Sequence, residues 1–251
     1  MSHPVKVDVY CFCYNESRIA PFIMDYWARF ATNVHVYDNN STDGVQDMLC
    51  AEKRFNVEVR HYDSEDKLND GIITGLRNSV WKQSRGAADF VVVCDFDEAL
   101  YSKDMMRTLQ TMMDDRKTIC APIIYELMSE RLPEHVSEEL LHGIIGRGVM
   151  NMAYGKHILF DPNIIDEINY LPGAHVCNPT GIVDYYDNKD VYLFHCKRID
   201  IDLFKQKFMM MQSRMSETNR RNGWGVQYLA AMDVALMEYY EMMKNSIQLP
   251  I

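Results

Sequence analysis

The stretch Phe90-Val91-Val92-Val93-Cys94-Asp95-Phe96-Asp97-Glu98 decides how the chain is read. An apolar run with no polar interruption is what a strand buried on both faces requires, as in a parallel sheet covered by helices. The carboxylates that follow fall at the carboxyl end of that strand, where ligands of open α/β sheets bind. Carboxylates facing a crevice must be hydrated, paired or bound to metal. Asp95-Phe96-Asp97 is therefore read as a DxD whose hard oxygen donors suit Mg²⁺ or Mn²⁺ and, through the ion, a diphosphate. Asp200-Ile201-Asp202 has the same spacing without that placement and is read as chance.

Working upstream, the apolar run ending at Tyr14 is a second buried strand, broken by Asn15, Glu16 and Ser17. Ile19, Phe22, Ile23, Tyr26, Trp27 and Phe30 then recur at helical spacing, with Pro21 tolerable only in the first turn. Strands are expected at 34–37 and 57–61 and helices at 45–53 and 69–84, with Ser41-Thr42-Asp43 capping the first of these helices. This alternation implies a parallel sheet with right-handed crossovers and helices on its faces. Tyr14-Asn15-Glu16, Asp38-Asn39-Asn40-Ser41 and Asp95-Phe96-Asp97-Glu98 each follow an apolar run, so three strand ends converge on one crevice.

Downstream, a helix is expected at 103–114, a strand at 119–127, short strands and loops across 133–179, and a last strand at 191–196. One or two C-terminal helices over 201–244 are broken at Asn222-Gly223-Trp224-Gly225. No Pro/Gly/Ser-rich linker divides the chain, so one domain, 1–251, is expected: a nucleotide-binding half (1–101), an acceptor-side half (102–200) and C-terminal helices (201–251).

Cys13-Tyr14-Asn15-Glu16, Val36-Tyr37-Asp38-Asn39-Asn40-Ser41-Thr42-Asp43-Gly44, Arg77-Asn78 and Asp95-Phe96-Asp97-Glu98, in this order, resemble the successive N-terminal motifs of family 2-like glycosyltransferases. The resemblance covers residues 5–101. It implies a GT-A (nucleotide-diphospho-sugar transferase) fold, α/β with a mostly parallel central sheet flanked by helices, and transfer from a UDP-sugar to a glycan or glycolipid acceptor; inversion is the expected outcome, with retention left open. It places Tyr14 and Glu16 near the nucleotide, Asp38 at the base or ribose, Arg77 near the donor and Asp95 at the ribose or sugar. Asp97 would hold Mn²⁺ or Mg²⁺, and His195, at the end of the last apolar run, would complete the metal shell. Lys197 and Arg198 either neutralise the diphosphate or are solvated.

An inverting transfer needs a base opposite the leaving group. Asp166, Glu167, His175 and Asp184 are candidates in or beside the poorly periodic stretch, and His175 and Asp184 are put forward. A sugar nucleotidyltransferase would have a Gly-rich turn after its first strand, which Tyr14-Asn15-Glu16 is not. A nucleotide- or sugar-binding protein without turnover is the other alternative.

A formal net charge of -10 and a pI near 5.2 argue against a nucleic-acid partner, which demands clustered Lys and Arg. Cys11, Cys13, Cys94, Cys120 and Cys196 lie in apolar runs and read as reduced core residues, and Met105, Met106, Met112, Met113 and Met209 to Met211 read as core filler. Residues 1–9 lack a basic segment followed by an apolar one, so no leader is expected, and a cytoplasmic protein, with peripheral membrane association as an alternative, is inferred. Leu229, Met232, Leu236, Tyr239, Tyr240 and Met243 are expected to pack on the domain or, second, to form a homodimer.

Overall fold

The computed structural model describes residues 4–136, 139–151 and 155–251; residues 1–3, from the stretch read for a leader, and 137–138 and 152–154, from the loop-rich stretch, lie outside the described residues. In chain order the elements are β1 (Val7–Cys13), α1 (Ala20–Trp27), β2 (Asn33–Asp38), α2 (Val45–Ala51), β3 (Asn56–His61), α3 (Asp70–Arg77), β4 (Phe90–Asp95) and β5 (Glu98–Tyr101). There follow α4 (Met105–Asp114), β6 (Ile119–Cys120), β7 (Ile123–Met128), α5 (Leu141–Ile145), β8 (Arg147–Met150), β9 (Leu159–Phe160), β10 (Ile165–Glu167) and β11 (Thr180–Gly181). The chain closes with β12 (Tyr192–Arg198), α6 (Ile201–Arg214), α7 (Glu217–Asn222), α8 (Met232–Asn245) and β13 (Ile247–Gln248).

The central sheet has the order β3-β2-β1-β4-β9-β6. Its four leading strands pair in parallel and the short β9 adds antiparallel to both β4 and β6, so the mostly parallel sheet flanked by helices is as expected. All seven residues of β1 are buried because both faces are covered. Val7, Val9, Cys11 and Cys13 join the cluster around Trp27 on one face, while Tyr10 and Phe12 join the one around Trp81 and Phe160 on the other. Period-two alternation thus feeds two apolar layers, which is why the run is continuous.

A second sheet, β13-β8-β7-β12-β5, stands beside it. The chain crosses from the first sheet to the second between Asp95, the last residue of β4, and Glu98, the first of β5. The DxD is that crossing. Because β12 pairs with β5, placing His195 opposite Glu98, the crossing also brings the last long strand to the end of the first sheet.

Several boundaries differ from expectation. The stretch 119–127 is two strands in different sheets, separated at Ala121-Pro122, where proline offers no N–H to a ladder. The helix expected over 69–84 ends at Arg77 and gives way to a 3₁₀ turn over Val80–Ser84. The C-terminal region forms three α-helices and a 3₁₀ turn over Val226–Leu229, with an additional break at Met215. The residue preceding α2 is Gly44 at φ +87°, which has no side chain to cap with; Asp43 Oδ1 accepts from the Val45 N–H at 3.2 Å and its Oδ2 from the Ser17 N–H at 2.7 Å. Met105 and Met112 are core residues, but Met106, Met113 and Met209 are exposed, as are Leu229 and Tyr240. The five cysteines read as buried are buried and unpaired. Among the described residues, no helix is long and apolar enough to cross a membrane.

Candidate functional site

Phe96, between the two aspartates, is buried edge-on against Trp27, with ring centroids 5.2 Å apart. Its backbone is pinned as well: the Phe96 N–H donates to the Phe12 carbonyl at 3.1 Å, and the Cys196 N–H to the Asp97 carbonyl at 2.7 Å. With the intervening residue anchored in the core, Asp95 and Asp97 line a crevice of about 380 Å³ at the carboxyl ends of β1, β2 and β4. Six Lys and Arg side chains line it (Lys67, Arg77, Lys156, Lys197, Lys207, Arg214) against four carboxylates (Glu16, Asp70, Asp95, Asp97). The whole chain has the opposite balance, 26 basic against 36 acidic residues. The crevice is therefore a positive pocket in a negative protein, and it attracts anions.

The charges are arranged in two groups. Asp95 pairs with Arg77 and with Lys156, whose ammonium also pairs with the buried Glu98. Burial alone would raise the Asp95 pKa, but Arg77 and Lys156 outweigh it and hold the carboxylate below its ordinary value. Arg77 is itself buried, with its guanidinium 5.1 Å from the Phe12 ring centroid. In the second group, Lys207 Nζ lies 2.6 Å from Glu16 Oε1 and 3.1 Å from Asp97 Oδ2. His195 Nε2 is 3.5 Å from the same Asp97 oxygen, and His195 Nδ1 is 2.6 Å from Glu126 Oε1. Burial opposes ionisation of Asp97, yet Lys207 and His195 hold it well below the carboxylate range. Glu16 goes the other way: its burial outweighs Lys207 and pushes it up to about 8.

Asp97 and His195 are the residues that would hold a divalent ion, and their spacing fits one. Two adjacent oxygen or nitrogen donors of an octahedral ion with bonds of about 2.1 Å stand roughly 3 Å apart. Glu126 commits Nδ1 of His195 and leaves Nε2 facing Asp97, the carboxylate-supported arrangement common to metal-binding imidazoles. No group of three or more His, Cys, Asp or Glu suited to an ion occurs among the described residues. Two protein donors suit Mg²⁺ or Mn²⁺ that take their remaining ligands from water and substrate phosphates.

Residues from the C-terminal helices close the crevice. The Leu68 N–H donates to the Arg214 carbonyl at 2.7 Å, and the Ser216 N–H to the Leu68 carbonyl at 3.1 Å. Buried Asn219 completes the junction: its Oδ1 accepts from the Asp70 N–H and its Nδ2 donates to Asp70 Oδ2, both at 2.9 Å. Arg214 stands over the Tyr14 ring, 3.3 Å from its centroid, and donates to Asn39 Oδ1. Trp224 lies between Gly223 and Gly225, whose φ values of +69° and +68° favour glycine, and it packs against the open face of Gly71.

Of the residues expected at the site, Tyr14, Glu16, Arg77, Asp95, Asp97, His175 and His195 line this one crevice. Asp38 does not. It is 1% exposed, and its Oδ2 accepts from the Ser41 N–H at 2.9 Å and Gln46 Nε2 at 2.6 Å, so it shapes the loop whose Asn39 lines the crevice instead. Asp184 lies apart from the crevice, exposed and paired with Lys117 at 2.8 Å, and Glu167 is paired with Lys82. Lys197 lines the crevice and donates to Tyr228 Oη at 3.1 Å. Arg198 is instead buried between Glu126 and Glu238. Sequence reading missed Lys156, Lys207, Arg214, Trp224 and Glu126. Lys207 did carry a signal, since with Leu203, Phe204 and Phe208 it occupies the buried stripe of α6, where a charge must have a partner.

No family model matches the sequence, and no curated protein matches it. Solved structures similar to the chain include S. aureus TarS 1–349, at 16% identity over 84% of this chain and 65% of that one, with a TM-score of 0.48. TarS 1–349 in complex with UDP-GlcNAc is 14% identical over 90% and 72%, with a TM-score of 0.48. Core-mannan synthase A from Aspergillus fumigatus, in its Mn/GDP form, is 12% identical over 53% and 45%, with a TM-score of 0.33. The chain spans 65% of TarS 1–349 and 43% of the longer TarS chain.

Proposed function

We propose that the chain is a metal-dependent glycosyltransferase of the GT-A type, moving a sugar from a nucleoside-diphosphate donor, a UDP-sugar by its sequence resemblance, to a glycan or glycolipid acceptor. The observation that carries this reading is the Asp97–His195 pair set at the strand ends in a crevice rich in Lys and Arg. Such a crevice suits an ion and the diphosphate it accompanies.

Asp97 Oδ2 and His195 Nε2 would hold Mn²⁺ or Mg²⁺, and a bound divalent ion stabilises the negative charge that develops on the leaving diphosphate. The rest falls to the chain itself. Tyr14 and Asn39, braced by Arg214, bound the side of the crevice suited to a base and ribose. Asp95, kept ionised by Arg77 and Lys156, accepts from ribose or sugar hydroxyls. His175 is the crevice-lining group left to take the acceptor proton for an inverting transfer. Its burial lowers its pKa to about 4, so the imidazole is neutral near pH 7 and has a lone pair to accept with.

The test is calorimetric titration of UDP and GDP with and without Mn²⁺, followed by nucleotide release from a panel of nucleotide sugars, for the wild type and Asp97→Ala. The expected outcome is nucleotide binding that Mn²⁺ tightens, a gain that Asp97→Ala abolishes, with slow release from one sugar. Binding without release from any sugar would favour a silent binding protein, and absence of nucleotide binding under every metal condition would sink the reading.

A further inference from the structure

Lys207 is a buried charged group at the crevice to which this mechanism gives no task. It is 5% exposed, and an ammonium withdrawn from water to that extent costs several kcal/mol unless its partners are close and well placed. Both partners, Glu16 and Asp97, belong to the crevice, and its own side chain lines it.

The position has a physical consequence. Asp97 Oδ2 is shared between Lys207, at 3.1 Å, and His195, at 3.5 Å, and it is the oxygen suited to an ion. An ion brought to that oxygen competes with the Lys207 ammonium for it, and the two positive centres repel each other. Lys207 is then favoured to turn away. Its four-carbon stem and three rotatable N–H donors allow this, and the anion entering with the ion is the diphosphate. Among the other crevice cations, Lys67 is exposed, Lys156 is held by Asp95 and Glu98, and Arg214 lies on the Tyr14 ring and donates to Asn39. Arg77 is stacked on Phe12 and committed to Asp95, and Lys197 lies 4.7 Å from the Tyr228 ring and donates to its hydroxyl.

We infer that Lys207 is a diphosphate-binding residue: without donor its ammonium bridges Glu16 and Asp97, and when a nucleoside diphosphate enters it turns one N–H to a phosphate oxygen. The inference rests on the function proposed above and adds a contact to the donor that does not pass through the metal.

The experiment compares wild type, Lys207→Met and Lys207→Arg as full chains in EDTA, titrated with UDP and GDP and with uridine and guanosine. The expected result is that wild type binds one diphosphate without metal and that Lys207→Met weakens it about 10- to 100-fold, the worth of one hydrogen bond to a charged group. Affinity for the matching nucleoside stays unchanged, and Lys207→Arg restores most of the diphosphate affinity. Equal diphosphate affinity in wild type and Lys207→Met would overturn the inference while leaving the function intact. So would a parallel loss of nucleoside and diphosphate, which marks a lysine that only shapes the crevice. Should Lys207→Met not fold, Lys207→Gln, which can still hydrogen-bond both carboxylates, is read by the same criteria. Absence of nucleotide binding by wild type with and without Mn²⁺ overturns the function and this inference together.

Discussion

Glu126 and His195 are register partners on the parallel strands β7 and β12, and their side chains meet with Oε1 2.6 Å from Nδ1. Glu126 is fully buried, and its other oxygen accepts from Arg198 Nη1 at 3.1 Å. The carboxylate therefore fixes the ring and decides which nitrogen faces Asp97. Glu126→Gln keeps the shape but weakens this hold, and Mn²⁺ affinity in the presence of UDP should fall about 10- to 100-fold. Titration of Mn²⁺ into UDP-saturated protein measures it, and an unchanged affinity would show that Glu126 serves only Arg198.

Trp27 supports the DxD from beneath. It is 1% exposed and meets both Phe96 and Phe55 edge-on. Trp27→Ala should cost about 3–5 kcal/mol of stability, because the void cannot close around a crossing pinned to two sheets, and Trp27→Phe should cost less. Denaturant midpoints at equal slope check this.

Stability should fall on mild acidification, in part through His142. The imidazole is packed against Tyr101 and Phe194, its Nδ1 lies 2.8 Å from Tyr26 Oη, and burial, with Arg29 adding to it, lowers its pKa from 6.5 to about 4. A depressed imidazole pKa means that the unfolded chain takes up the proton first as pH falls. The stabilising contribution is whole above pH 6.5 and is lost progressively towards about pH 4, with about 2 kcal/mol gone by pH 5. Urea unfolding of wild type and His142→Gln between pH 4 and 8 should show a shallower acid slope in the variant; parallel slopes would contradict the assignment.

His175 and Asp184 should separate in turnover. His175→Ala is expected to lower kcat by about 10²- to 10⁴-fold, the usual contribution of a positioned base. Asp184→Asn, remote from the crevice, should leave kcat and KM as they were. Steady-state assays on the donor identified by hydrolysis decide, and the reverse pattern would move the base to Asp184.

How far the sequence could be read follows from the range of the forces involved. β1 and β4 were legible because burial on both faces demands an unbroken apolar run, and the DxD because polarity begins where that run stops. Pro122 marked a break within 119–127, but Ile119-Cys120 and Ile123-Ile124 are equally apolar, and their placement in two different sheets is decided by pairing with β9 and with β12. Asp38 and Asn39 show a finer limit: adjacent polar residues after a strand exchange the roles of bracing the loop and lining the crevice by one position of register. Glu126 was hidden inside an apolar strand, and its meaning depends on a partner in the chain's last long strand.

The junction of Leu68 and Asp70 with Arg214, Ser216 and Asn219 carries a consequence for biosynthesis. A ribosome delivers the DxD early, but Lys207, Arg214 and Trp224 emerge more than a hundred residues later, and the crevice lacks one wall until they arrive. The nascent chain should therefore fold its first sheet well before its crevice is closed, and complete that crevice in one late step.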